Sequence, residues 1–219
     1  MKEKLEIKKN HLILCEGADE LWFFTWWLNS KDLRGEKFFS EEIQVMDFGG
    51  IGELESFVAA LKMIEKFDDV KSMLIIRDAE KDENKAINDI KRALKKNELP
   101  VSDNVGQWSG EELKTAYLLL PSLDNHPCPG TLEDLCVEIL DDKDNCKQVM
   151  KSVEEFMTDL EDSELRSFSH KHKSKIHTYF SVTDKYVSAK IGEAAKWGAF
   201  DWKNERMKYL GKLLLQAKS

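Results

Sequence analysis

The stretch LILCEGADELWFF, Leu12–Phe24, decides how the rest of the chain is read. An apolar run stops abruptly at Glu16 and Gly17. A second acid, Glu20, follows four residues later, where the pattern turns helical. Short continuous apolar runs are the mark of strands buried on both faces. His11–Cys15 therefore reads as a buried strand and Ala18–Asn29 as a helix behind it. The helix is apolar on nearly every side, which places it in a core.

The pattern repeats downstream. Ile43–Phe48 reads as a second strand, with Gly49, Gly50 and Gly52 turning the chain out of it. Leu54–Phe67 follows as a helix, with Leu54, Phe57, Val58, Leu61 and Ile64 at helical spacing. Ser72–Ile76 is a third buried strand, and Asn84–Lys96 a third helix. A β-α-β-α-β-α order predicts a parallel sheet with helices on both faces. Right-handed crossovers then bring all strand ends of one sense to one edge. Asn104–Trp108 and Lys114–Leu120 read as two further strands joined at Ser109-Gly110. Thr131 precedes a helix from Leu132 to about Leu140. Beyond Asp144 the reading is mostly helical, with Cys146–Leu160 amphipathic and Glu205–Ala217 as the last helix. The expected fold class is α/β, a mostly parallel sheet flanked by helices. We expect a domain over residues 1–141 and a helical extension over 142–219.

Composition narrows the class. Hydrophobic residues make up 42% of the 219, enough for a sizeable core. Acids outnumber bases 41 to 33 and the net charge is -8, unlike a protein that coats nucleic acid. An acidic cluster that binds divalent metal pushes the balance the same way. The four cysteines form no CxxC pair. The start MKEKLEIKKNHL lacks the apolar core of a signal peptide. No window approaches the roughly 18 apolar residues of a membrane span. These features predict a cytoplasmic chain with reduced thiols and no membrane partner.

The third strand ends LIIRDAEKD, so Asp78, Glu80 and Asp82 fall at its carboxyl end, the edge where Glu16 ends the first strand. Open α/β sheets bind ligands at that edge. Converging carboxylates repel unless a proton or a cation compensates. A hard cation such as Mg²⁺ is the natural compensator for oxygen ligands. Individually, each acid also reads as a helix-dipole partner or cap.

Here the residues resemble a known family. An apolar strand ending Glu16-Gly17 with Glu20, and another ending Asp78-Ala79-Glu80, are similar to the two motifs of the Toprim domain. The four-residue gap from Glu16 to Glu20, and the Leu132-Glu133 pair in GTLEDLCVEIL, resemble the OLD-type nucleases and small stand-alone Toprim-like proteins. The chain departs from the pattern at Glu80, where Asp is usual, and the side chain is one methylene longer. The resemblance implies that Asp78 and Glu80 hold Mg²⁺ (or Mn²⁺), with Asp82 sharing the role. It implies that Glu16 is a metal ligand or the general acid/base, and that Glu20 and Glu133 belong to a second metal position. A lysine neutralises transition-state charge in OLD-type sites, and Lys173 and Lys175 are its counterparts here. Gly49 and Gly50 are then placed to approach a substrate phosphate.

Two further segments were weighed. HKHKSKIH, His170–His177, is the clearest basic run and suits a phosphate backbone, a solvated face or, less well, zinc. SAKIGEAAKWGAFDW, Ser188–Trp202, suits core packing or a docking surface. The leading expectation is Mg²⁺-dependent phosphodiester hydrolysis of nucleic acid, with an ATPase partner as an extension of the resemblance and a homodimer as the alternative use of the apolar WFFTWWL helix. A non-catalytic binding module and a small-molecule phosphohydrolase are the alternatives.

Overall fold

The computed structural model describes residues 5–33, 36–140 and 146–218. Four strands form one parallel sheet in the order β2-β1-β3-β4. They are β1 His11–Cys15, β2 Ile43–Asp47, β3 Ser72–Asp78 and β4 Lys114–Leu120. Helices α1 Ala18–Leu28, α2 Leu54–Lys62 and α3 Glu83–Lys96 connect them as predicted. Then come α4 Leu132–Glu138, α5 Cys146–Asp162, α6 Lys171–Ser181, α7 Ile191–Lys196 and α8 Glu205–Lys218.

The period of two along each strand sorts side chains between two cores. Ile13, Cys15, Leu74, Ile76, Leu118 and Leu120 enter one, with α1 and the later helices. Leu12, Leu14, Met73, Ile75, Tyr117 and Leu119 enter the other, under α2 and α3. Both faces are covered, which is why these strands are apolar throughout.

The C-terminal helices contribute Met150, Met157, Phe180 and Leu214, and the α7–α8 connection Phe200, to the same core as Phe23 and Trp27 of α1. Phe23 touches the rings of Phe200 and Trp202 at centroid distances of 5.4 and 5.2 Å. Residues 146–218 thus share a core with the sheet. The expected boundary at Asp141 lies outside the described residues.

Two local expectations are corrected, and a third segment packs in the core. Asn104–Trp108 is not a strand: the segment turns through Gly106 at φ +71°, leaving only an isolated bridge from Ser109 to Thr115. Trp108 instead donates its Nε1–H to the carbonyl of Leu213 on α8, at 2.8 Å. The helix from Leu54 stops at Lys62, because Ile64 is extended at φ -86°, ψ 130°, and a 3₁₀ turn covers Glu65–Asp69. Within Ser188–Trp202, α7 packs so tightly on α1 that a Cβ on Gly192 would lie 2.5 Å from Trp22 Cβ. Gly192→Val is therefore expected to lower stability by about 1–3 kcal/mol through overpacking, read by urea unfolding. Among the described residues, no helix is long and apolar enough to cross a membrane.

Candidate active site

Strand order alone selects one place on the sheet. The chain leaves β1 for β2 on one side and returns to β3 on the other. The carboxyl ends of β1 and β3 therefore flank a topological switch point, where open α/β sheets leave a crevice. A cleft of about 540 Å³ lies there, lined by Glu16, Glu20, Asp78, Glu80 and Glu133, with Gly49 and Gly50 on its rim.

Each acid arrives by a different route. Glu16 is the residue after β1. Its Oε2 is buried and finds no hydrogen-bond partner among the described residues, with Arg77 Nε facing it at 3.8 Å. Glu20 comes from the first turn of α1 and is only 9% exposed. Asp78 ends β3 and accepts the N–H of Leu132 at 2.9 Å, so the start of α4 is tied to the strand end. Glu133 is the second residue of α4, and Lys173 of α6 reaches its Oε1 at 3.4 Å. The neighbouring Asp134 instead closes the helix end, accepting the N–H of Thr131 at 2.9 Å.

The electrostatics follow from that crowding. Burial, then the charges of Glu20, Glu16 and Glu133, push the Asp78 carboxyl up to about 9. Burial is also the main reason Glu20 rises to about 7, with Glu16 and Glu133 adding to it. Burial raises Glu16, against the pull of Arg77 and with a further push from Glu80. Three carboxyls thus hold protons more tightly than free carboxyls do, burial being the first cause in each. Burial also keeps the Cys15 and Cys136 thiols protonated, so neither is an activated nucleophile.

Glu80 stands in a left-handed conformation at φ 55°, unusual for a residue with a side chain. Two backbone hydrogen bonds to Gly130, at 2.9 and 2.8 Å, hold it there. Gly130 itself lies at φ +137°, and an added Cβ would come within 2.8 Å of Pro121 and 2.9 Å of Asp134. Gly130→Ala is expected to cost about 1–3 kcal/mol and to loosen the Glu80 turn, read by chemical denaturation and by backbone amide shifts of residues 78–82. At Gly49 and Gly50 a Cβ would meet nothing within 4 Å, so that rim is open to a ligand.

Two of the sequence candidates stand elsewhere. Asp82 caps α3, its Oδ1 accepting the N–H of Lys85 at 3.0 Å, and it is not among the cleft residues. Lys175 points to Glu154 on α5 and forms an ion pair with it. Residues two apart on a helix diverge by about 200°, so Lys173 and Lys175 cannot serve one site. The structure adds Asp47, the last residue of β2, along with Asp19, His170 and His172. Asp47 was legible in principle, since it ends a parallel strand at the same edge. His172 Nδ1 lies 3.8 Å from Asp134, while His177 packs on Phe180 away from the cleft.

The donor chemistry fits a hard divalent cation: the cleft gathers carboxylate oxygens, and one of them, Glu16 Oε2, is orphaned. Among the described residues, no group of three His, Cys, Asp or Glu side chains stands ready to hold a metal ion. Mg²⁺ needs less than a full protein cage, because it keeps several waters and binds through one or two carboxylates.

The family described as "Protein of unknown function (DUF3226)" has a model that matches residues 10–217. The chain belongs to this family. The DUF3226 match takes in every cleft residue from Glu16 to Lys173, so the sheet and the C-terminal helices fall within one family unit. Comparisons with curated proteins and with solved structures each found no match.

Proposed function

We propose that this DUF3226 chain is a Toprim-like, divalent-cation-dependent enzyme of phosphoryl transfer on nucleic acid, acting by endonucleolytic phosphodiester hydrolysis. The carrying observation is the convergence of Glu16, Glu20, Asp78 and Glu133, from three separate segments, in one cleft at the switch point beside Lys173. Carboxylates packed this closely repel one another, and a bound cation removes the penalty.

In this reading Asp78, Glu20, Glu133 and Glu80 hold Mg²⁺ or Mn²⁺. Bound there, the cation supplies charge to neutralise phosphate oxygens. Glu16, with an orphaned oxygen and a raised proton affinity, accepts the proton of the attacking water. Lys173 balances the charge that develops on the phosphate. The open rim at Gly49 and Gly50 lets a phosphate approach the backbone. A cytoplasmic location suits the four free cysteines. An ATPase partner rests on the family resemblance alone.

Incubation with supercoiled plasmid and with single-stranded RNA, in Mg²⁺ and in Mn²⁺, tests the reading. Cleavage by the wild type that falls roughly 10²–10⁴-fold in Glu16→Gln is the expected result. No cleavage of either substrate in either metal would overturn it. A second reading, a non-catalytic binding module, draws on the lack of a ready three-residue metal cluster among the described residues.

A further inference from the structure

The proposed cleavage leaves one proton unassigned. The attacking water gives its proton to Glu16, but the departing sugar oxygen needs a proton of its own. Among the described residues that line the cleft, the acids hold the cation and take the water's proton in that reading. Lys173 is turned to Glu133 Oε1 at 3.4 Å. The lining has no Cys or Tyr, which leaves two histidines, His170 and His172.

The two are held differently. His170 is exposed at the start of α6 and makes no capping hydrogen bond. His172 is half-buried and faces α4. Its Nδ1 lies 3.8 Å from Asp134 Oδ2, an ion-pair distance rather than a hydrogen bond. That same oxygen accepts the N–H and the hydroxyl of Thr131 at 2.9 and 3.2 Å, so the capping box of α4 fixes Asp134 in place. A fixed carboxylate beside one ring nitrogen sets the direction of the imidazole and leaves the other nitrogen for a ligand. The next residue, Lys173, reaches Glu133, so two adjacent contacts dock α6 on α4 beside the acids. In-line displacement sets the attacking and departing oxygens on opposite sides of phosphorus. Glu16 enters the cleft from the end of β1, and His172 from the separate helical wall.

We infer that His172 is the general acid of the proposed cleavage, giving its Nε2 proton to the departing sugar oxygen, with Asp134 as the residue that positions it. The inference rests on the proposed function. The water oxygen bonds to phosphorus as the bond from phosphorus to the sugar oxygen breaks. The water proton goes to Glu16, the imidazolium proton goes to the departing oxygen, and the ring takes a proton back from solvent. Histidine suits the task because its proton exchanges near neutrality, where the lysine ammonium holds its own.

The test compares an oligonucleotide with its normal departing oxygen against one in which sulfur replaces that bridging atom, 3′ or 5′ as the product ends show. A thiolate is a far weaker base than an alkoxide and leaves without a proton. In Mg²⁺ or Mn²⁺, His172→Gln is expected to cleave the oxygen substrate about 10²-fold or more slowly than the wild type, and the sulfur substrate within about threefold of it. His172 is half-exposed on a surface helix, and a far-UV CD spectrum checks that the variant folds. Equal losses on both substrates, or a selective loss in His170→Gln and none in His172→Gln, would overturn the assignment. The ring ¹⁵N spectrum of His172 supplies a readout without cleavage. The neutral ring is expected to carry its proton on Nδ1 in the wild type and to lose that preference in Asp134→Ala. Identical spectra would overturn the role of Asp134. Failure of the wild type to cleave either substrate would sink the proposed function and the acid with it, whereas wild-type cleavage without a sulfur effect in His172→Gln sinks the acid alone.

Discussion

Asp78→Asn is expected to raise the thermal midpoint of the cation-free protein while removing its activity. The physical reason is a buried carboxyl whose proton affinity is pushed up to about 9 by burial and by Glu20, Glu16 and Glu133. Above the ordinary carboxylate range, the unfolded chain holds Asp78 ionised while the fold holds it protonated. That difference costs stability, growing by up to about 1.4 kcal/mol per pH unit until pH reaches the folded-state value. Asparagine carries no such cost and keeps an oxygen to accept the Leu132 N–H. For a chain of this size each kcal/mol is worth roughly 2–4 °C, so a gain of several degrees at pH 8 is expected by scanning calorimetry. Cleavage should fall at least about a hundredfold, the usual scale for losing one transition-state charge contact. A more stable and inactive variant would show a site built at the expense of stability. A less stable variant would show that Asp78 serves structure.

The second large effect is in pH and cation together. Folded-state values are raised for Glu16, for Glu20 to about 7, and for Asp78 to about 9. Below the unfolded value both states are protonated and nothing is lost. Between the unfolded and folded values stability falls as pH rises, and above the folded value the loss is constant. The apo protein is therefore expected to lose stability steadily from about pH 5 to pH 9, with Glu20 finished near 7 and Asp78 last. A divalent cation favours the ionised carboxylates, so its stabilisation should grow over the same window. At a hundred times its dissociation constant it adds about 2.7 kcal/mol. Thermal midpoints from pH 5 to 9, in EDTA and in Mg²⁺, would test this. Parallel curves with no divergence at high pH would contradict it.

The sheet was legible because both its faces are covered. Apolar runs at Leu12, Met73 and Thr115 have no solvent face to encode, so they stand out as blocks. Glu16 and Asp78 were legible because each ends such a block. Other features carried no local signal. The pattern at Asn104–Trp108 serves one long-range contact, Trp108 to Leu213, that spacing within the segment does not encode. Helix α7 is six residues of mostly small side chains, too short for a period, and close packing on Trp22 selects its glycine. Glu133 and Asp134 are adjacent acids at one helix start, and only the turn of α4 decides which closes the cap and which enters the cleft. Asp47 was hidden because the apolar Phe48 carries the run past it, so the acid reads as a strand interior although β2 ends there.

The proposed chemistry requires that the carboxylates at the ends of β1 and β3 hold a divalent cation. Isothermal titration of Mg²⁺ and of Mn²⁺ into the wild type and into Asp78→Ala at pH 8 addresses it most directly. Saturable binding by the wild type that Asp78→Ala abolishes is the predicted result. No binding by the wild type, or binding that survives the substitution, would contradict the claim.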